Sequence, residues 1–215
     1  MFKQVDLTKD PILKALLIFA LPMFFSSVFQ ALYNTMDTMI VGNTLGDTSL
    51  AAIGACGAIF ELLIGFALGV GNGLSIVCAR AYGSKDEDLI KHSVGGSIVI
   101  GVFLTLVIML ISQVGLYPLL ELLDTPANII DESYSYIATV TLFVGIMFSY
   151  NLCAGLLRAI GNSMMPLVFL IISSILNIGL DLYLITQMNM GIKGAAVATV
   201  IAQGISALLC VIYIW

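Results

Sequence analysis

Two aspartates lie inside long apolar segments of this chain, where a charged side chain is costly. Asp37 belongs to the segment ALYNTMDTMIVG, and Asp181 belongs to SSILNIGLDLYLI. A carboxylate inside a membrane is rarely incidental, because it must be paired, hydrated or protonated. No Lys or Arg lies deep in any apolar segment. Either a cation therefore binds between the two carboxylates or at least one of them is protonated, and ion-coupled transport uses both states.

Neutral polar residues lie on the same faces of the predicted helices as the two aspartates and form polar stripes with them. The members of each stripe are three or four residues apart, which places them on one helical face: Gln30, Asn34 and Asp37; Asn177 and Asp181; Thr199 and Gln203. At 1.5 Å per residue the two aspartates lie roughly 8–9 Å from the same end of their spans, and Thr199 reaches a similar depth. We expect the three stripes to face one another, although neutral polar residues in membrane helices often only join helices.

The segments that must position these residues are almost wholly apolar. The 215 residues are 60% hydrophobic and 10% charged, whereas a soluble domain is about 45–50% apolar and about 25% charged. About 20 apolar residues cross a membrane. We predict one all-α membrane domain with six spans, roughly 12–42, 50–80, 92–113, 133–158, 165–187 and 194–215, and an interfacial loop with one short helix at 114–133.

The basic residues predict the orientation of these spans. One set of loops and ends contains Lys3, Lys9, Lys14, Arg80, Lys85, Lys91 and Arg158, and the alternate loops contain only Lys193. Because basic residues favour the cytoplasmic side, we expect both termini in the cytoplasm and the protein in the plasma membrane. The eight Lys and Arg residues and the net charge of −5 give no support for nucleic-acid binding.

No motif of enzyme chemistry is present. His92 is the only histidine, and the four cysteines lie in apolar runs without paired spacing, at Cys56, Cys78, Cys153 and Cys210. They are expected to be small core residues, without a metal or disulfide role. Gly65, Gly69 and Gly73 recur at every fourth residue, which predicts close helix packing. We therefore expect no catalytic site and no cofactor apart from a coupling ion.

Several motifs resemble the multidrug and toxic compound extrusion (MATE) transporters. They are LYNTMDTMIVG, LGDTSLAAIG, ARAYGSKD, LLRAIGNSMMPL, SSILNIGLDLYLI and MGIKGAAVATVIAQ, and they follow the family order over residues 31–203. The resemblance implies one six-helix lobe, the N-terminal one, of a twelve-helix exporter of organic cations driven by Na⁺ or H⁺. The apolar run that ends the chain at Trp215 agrees with a C-terminal lobe being absent.

The resemblance also assigns roles to residues. Asp37, Asn177, Asp181 and Thr199 match a cation-coupling site that holds Na⁺ or H⁺, and Pro22 matches a proline linked to bending of the first helix. The candidates for the substrate cavity are Gln30, Tyr33, Asn34, Glu61, Asn151 and Gln203. The expected partners are small lipophilic cations, membrane lipid, and either a C-terminal lobe or a second copy of the chain.

Two alternatives stay open. A lipid-linked-oligosaccharide flippase of the same superfamily would bind an anionic pyrophosphate, so Lys or Arg should line its cavity. The absence of a basic residue deep in any predicted span ranks this alternative second. A truncated half that inserts into the membrane without transporting is the other alternative, and oligomeric state and transport assays separate it from a working half-transporter.

Overall fold

The computed structural model describes residues 12–214, which form seven α-helices and one π-helical turn. In chain order these are α1 (Ile12–Leu45), α2 (Asp47–Ser84), α3 (Glu87–Leu122), α4 (Ile130–Leu142), α5 (Val144–Ala159), α6 (Met164–Leu182), the π turn (Tyr183–Gln187) and α7 (Ile192–Ile214). Five helices are long and apolar enough to cross a membrane, and the bent pair of α4 and α5 makes a sixth candidate span. The predicted fold class is confirmed, while the orientation of the termini stays a prediction. Lys3 and Lys9 lie outside the described residues.

The interfacial loop predicted at 114–133 is largely wrong, because α3 continues to Leu122 through Pro118. Pro118 removes one backbone hydrogen bond from the helix. Leu116 and Leu120, one helical turn apart, are fully buried in the main apolar core. Burial of these two side chains favours the helical continuation over the loop that the proline and the acidic residues suggested.

The predicted fourth span is not one straight helix. It divides at Phe143 into α4 and α5, and the chain bends by 49° between these two helices. At the junction the amide of Phe143 donates to the carbonyl of Val140 (3.2 Å), and the amide of Ile146 donates to the carbonyl of Phe143 (2.9 Å). These three-residue steps are tighter than the α-helical pattern and change the direction of the chain.

The helices α2, α5, α6 and α7 pack most extensively, while α1 lies at the edge of the bundle and contacts chiefly α6. The close approaches differ from those that the glycine spacing predicted. Gly69 and Gly73 face open space within residues 12–214. Gly101 instead packs against the ring of Phe148, where an added Cβ would meet a ring carbon at 2.0 Å. Only a residue without a side chain allows α3 and α5 to approach at this point.

Candidate functional site

The buried polar site lies where α1, α6 and α7 meet. Asn177 and Asp181 on α6 are fully buried, and Asp37 on α1 is 7% exposed. The carboxyl groups of Asp37 and Asp181 are close enough to interact directly. On the same side, the Tyr33 hydroxyl of α1 lies beside Thr199 of α7. The structure therefore brings the four proposed cation-coupling residues into one buried region.

This region contains polar atoms that the protein itself does not satisfy. Nine buried side-chain N and O atoms have no hydrogen-bond partner within the described residues, and all nine are on α1, α6 and α7: Tyr33 Oη, Asp37 Oδ1, Ser173 Oγ, Asn177 Nδ2 and Oδ1, Asp181 Oδ1 and Oδ2, Thr199 Oγ1 and Gln203 Oε1. Buried polar groups are nearly always hydrogen-bonded in native proteins. Their concentration around two carboxylates fits a place that takes up a cation.

The donor set also fits a hard monovalent cation or a proton. Na⁺ and similar ions take oxygen ligands, and this region offers carboxylate, carboxamide and hydroxyl oxygens. Among residues 12–214 no three His, Cys, Asp or Glu side chains converge. A coordination shell here therefore depends on the neutral oxygens of Asn177 and Thr199 in addition to the two carboxylates.

Local helix structure positions the α6 side of the site. Ser173, Asn177 and Asp181 repeat at every fourth residue and form the buried polar face of the helix. Asp181 lies in the last turn of α6, and the π turn follows directly. In the π turn the Met188 amide donates a hydrogen bond to the Tyr183 carbonyl, five residues earlier (3.2 Å). Such turns often occur at functional sites.

Close packing of α7 on α6 completes the site. The α7 residues that surround Thr199 and Gln203 are small and fully buried, namely Ala195, Ala196, Ala198 and Ala202. Small side chains let two helix backbones approach closely. The Ser206 hydroxyl donates to the Phe169 carbonyl of α6 (3.0 Å) and fixes the two helices one turn further along.

Two residues at the site were not singled out from the sequence. Ser173 lies one turn before Asn177, and continuation of the stripe by four residues would have identified it. Tyr136 on α4 is 7% exposed and lies within electrostatic range of both Asp37 and Asp181. Its approach depends on how α4 packs against α2 and α7, so no local pattern in the sequence indicates it.

The residues proposed for a substrate cavity fall into three places. Gln30, Asn34 and Asn151 line a pocket of about 530 Å³ between α1, α5 and α6. Tyr33 and Gln203 are buried with the carboxylates. Glu61 is exposed on α2, away from this pocket. The stripe predicted on α1 therefore divides, because Asn34 is exposed at the pocket while Asp37 is buried toward α6 and α7.

One basic residue in the pocket changes the sequence-based interpretation. Arg158 was assigned to a loop, but it lies in the last turn of α5 and lines the same pocket as Gln30 and Asn34. Because Arg158 lies at the end of α5, the statement that no Lys or Arg lies deep in a span still holds, although this pocket does contain a basic residue.

A second pocket lies at the end of the bundle nearer the carboxylates. It has a volume of about 450 Å³ and is lined by Leu45, Ser49, Asp131, Glu132 and Lys193, among others. The Ser49 hydroxyl donates to Glu132 Oε2 at 2.7 Å. This end of the protein thus combines acidic and basic groups at its surface.

The helix α1 runs unbroken past Pro22. The Ser26 hydroxyl donates to the Pro22 carbonyl at 2.8 Å, a local bond that is common where Ser lies within a helix. The predicted hinge role of Pro22 stays a prediction, and Pro22 is located on the part of α1 that also borders the Arg158 pocket, beside Met23.

The fold and the site define a multi-span helical membrane protein with a buried carboxylate pair, and the comparisons identify its family. A model of the MatE family matches residues 22–183, so the chain belongs to the MatE family and the resemblance is confirmed. The probable multidrug resistance protein YoeA of Bacillus subtilis is 33% identical over 211 residues, which are 96% of this chain and 46% of that protein.

Solved structures agree with the family. A MATE transporter in the bent conformation is 26% identical and superposes with a TM-score of 0.90, covering 100% of this chain and 48% of that one. A MOP superfamily transporter from Pyrococcus furiosus, described as having a binding pocket of reverse polarity that suggests a different function, is 26% identical with a TM-score of 0.91 over 100% of this chain and 47% of that one. The chain thus spans about half the length of the relatives it matches.

Proposed function

We propose that this chain is the N-terminal lobe of a cation-coupled multidrug exporter in the plasma membrane, with Asp37, Asn177, Asp181 and Thr199 as its coupling site. The observation that carries the proposal is the group of nine buried polar atoms that have no hydrogen-bond partner within residues 12–214 and that include oxygens of both carboxylates. Similarity to a protein named as a multidrug resistance protein supports drug export as the activity of the complete transporter. The coupling ion is Na⁺ or H⁺, and the substrates include lipophilic organic cations.

The mechanism follows from the place of α1 at the edge of the bundle. Two adjacent carboxylates repel each other when both are charged, and one bound cation or proton removes this repulsion. Binding would therefore draw α1, which contributes Asp37, toward α6, which contributes Asp181. Because α1 also lines the pocket through Gln30 and Asn34, its displacement changes the pocket as well. Ion and drug then compete through one helix, with bending near Pro22 as the proposed adjustment, and such coupling typically has a free energy of about 1–3 kcal/mol.

Dye efflux from vesicles under separately imposed Na⁺ and proton gradients tests the proposal. The chain is reconstituted alone and together with a C-terminal half from a relative, which also separates a working lobe from a half that cannot transport. We expect one gradient to drive efflux and Asp37→Asn to remove that dependence without lowering the yield of membrane-inserted protein. Efflux by Asp37→Asn at the unaltered rate under the same gradient contradicts the mechanism.

Transport of an anionic amphiphile is the second candidate function. A basic residue lining the cavity was the feature that distinguishes a flippase of lipid-linked anions, and Arg158 is such a residue. The buried carboxylates still favour cation coupling as the driving force. The polarity of the pocket therefore bears on which substrates are accepted more than on how their export is driven.

A further inference from the structure

The pocket between α1, α5 and α6 has a positively charged end. Arg158 is half-buried in the last turn of α5, and among residues 12–214 the pocket lining contains no Asp or Glu. The carboxylates Asp37 and Asp181 lie outside the lining. The pocket is therefore electrostatically distinct from the carboxylate site, although both include side chains of α1.

Most other polar side chains of the pocket already donate to the protein. Ser26 and Ser27 donate to backbone carbonyls one turn earlier at 2.8 and 3.2 Å, and the Asn151 amide does so at 2.9 Å. The Tyr150 hydroxyl donates to the Pro166 carbonyl at 3.3 Å. Among the described lining residues Arg158 is the cationic donor, and the carboxamides of Gln30 and Asn34 are the neutral donors that remain.

The rest of the lining is apolar, and the volume suits a small molecule. Met23, Phe24, Ala31 and Leu170 complete the wall, and about 530 Å³ lies within the range of roughly 300–1,000 Å³ that is usual for small-molecule pockets. A guanidinium binds carboxylate or phosphate oxygens through paired hydrogen bonds. An apolar wall with a guanidinium at one end therefore matches an amphiphile with one anionic oxygen group.

We propose that Arg158 is a specificity-determining residue that binds the anionic oxygen group, a carboxylate or phosphate, of amphiphilic substrates whose apolar part lies against Met23, Phe24 and Leu170. This inference rests on the proposed function as an exporter and names a substrate class for it. The accepted molecules then include acids and zwitterions in addition to simple lipophilic cations. In a zwitterion, the cationic group lies toward Asn34, which is three residues from Asp37.

The experiment measures binding alone, so that it is independent of ion coupling. The purified chain in a nonionic detergent is titrated with a dansyl-labelled alkyl carboxylic acid and, separately, with the methyl ester of the same probe. The two probes differ only in the anionic group. We expect the unaltered chain to bind the acid about tenfold or more tightly than the ester, in line with the usual strength of a hydrogen bond to a charged group.

Three variants locate the effect. Arg158→Gln is expected to lose the preference for the acid while its affinity for the ester is unchanged, and Arg158→Lys should retain part of the preference because it keeps the charge but not the planar fork. Arg80→Gln is the matched control, because Arg80 is exposed near the same end of the bundle and does not line the pocket. The readout is the ratio of two affinities without an imposed ion gradient, so a failure of the coupling mechanism leaves this result intact.

Two results would overturn the proposal. Equal binding of acid and ester by the unaltered chain overturns it, even if no Arg158 variant folds. An equal loss of preference in Arg80→Gln and Arg158→Gln assigns the effect to general charge and also overturns it. Competition by phosphatidylglycerol, but not by phosphatidylcholine, for the acid probe would identify the anionic group as a lipid phosphate. Absence of such competition, with the acid preference retained, would indicate a soluble acid as the ligand.

Discussion

The two regions of α1 to which the proposals assign ligands differ in burial, charge and openness. Around Asp37 the helix faces α6 and α7, the side chains are buried, and polar oxygens have no hydrogen-bond partner in the part of the chain that the structure describes. Around Met23 to Asn34 the helix borders a partly open pocket with Arg158 at one end. One region is compact and acidic, and the other is open and basic. The comparison suggests that one helix serves two ligands of different size and charge, and that variants can separate the two roles.

Removal of one carboxylate should produce the largest effect and should be confined to the first region. Asp181→Asn is expected to reduce gradient-driven efflux to the level of leakage and to abolish any stabilisation by the coupling ion. A ligand present at 100 times its Kd stabilises the folded state by about 2.7 kcal/mol, and this increment should disappear. Thermal unfolding with and without Na⁺, at two pH values, measures it.

The control for this variant is Asp47→Asn, because Asp47 is exposed in the first turn of α2. It should retain both efflux and ion-dependent stabilisation. Since Asp181→Asn also removes a buried carboxylate whose oxygens accept no hydrogen bond within residues 12–214, its melting temperature without the ion should be equal to or above that of the unaltered chain. A lower melting temperature would mean that Asp181 has a structural role that the buried geometry does not explain.

The sequence predicted the carboxylate region more fully than the pocket. Asp37, Asn177 and Asp181 were identified because an intramembrane carboxylate and a four-residue spacing are local signals. Tyr136 was not identified, because its position depends on the packing of α4 against α2 and α7. The same holds at the other region, where Arg158 looked like a loop residue until the bounds of α5 were known.

The fold shows the same division between local and tertiary information. The apolar segments predicted that the chain is helical, but the continuation of α3 past Pro118 depends on the burial of Leu116 and Leu120 in the shared core. The bend at Phe143 is likewise not marked by a proline, and Gly145, two residues further on, lies within α5. Packing between helices decides both features.

A second prediction concerns the scaffold behind the pocket. Gly101→Ala places a Cβ against the Phe148 ring, and overpacking of this kind typically costs about 1–3 kcal/mol. Phe148 precedes Tyr150 and Asn151 on α5, so the displacement should weaken ligand binding in the pocket more than it weakens ion-dependent stabilisation. Chemical unfolding and probe titration together measure the two effects.

Gly96→Ala is the matched control on the same helix, because Gly96 faces open space. Alanine is favoured over glycine in a helix by about 1 kcal/mol, so this variant should be as stable as the unaltered chain or slightly more stable. If the two variants unfold at the same denaturant concentration, the contact between Gly101 and Phe148 does not constrain the fold.

A third prediction tests the pocket directly. Asn34→Ala removes a carboxamide that is exposed at the pocket, and we expect substrate binding to weaken by up to about tenfold, the usual effect of one hydrogen bond. Ion-dependent stabilisation should stay unchanged, since Asn34 is not among the unpartnered buried groups. The converse result, loss of ion dependence with normal substrate binding, would show that Asn34 belongs to the carboxylate region.

The smallest expected effect is at Ser173, where the comparison between the two regions can be refined. Ser173 is 1% exposed, and its hydroxyl has no partner within the described residues. If the hydroxyl takes no part in ion binding, Ser173→Ala should raise the free energy of unfolding by about 1 kcal/mol, because a buried unsatisfied group is removed. If it is an ion ligand, the variant should instead need a higher ion concentration for the same stabilisation. Thermal unfolding over a series of Na⁺ concentrations and pH values distinguishes these two roles of the hydroxyl. Ser174→Ala is the control, because the Ser174 hydroxyl already donates to the Leu170 carbonyl (2.8 Å), and this variant should show no ion-dependent change.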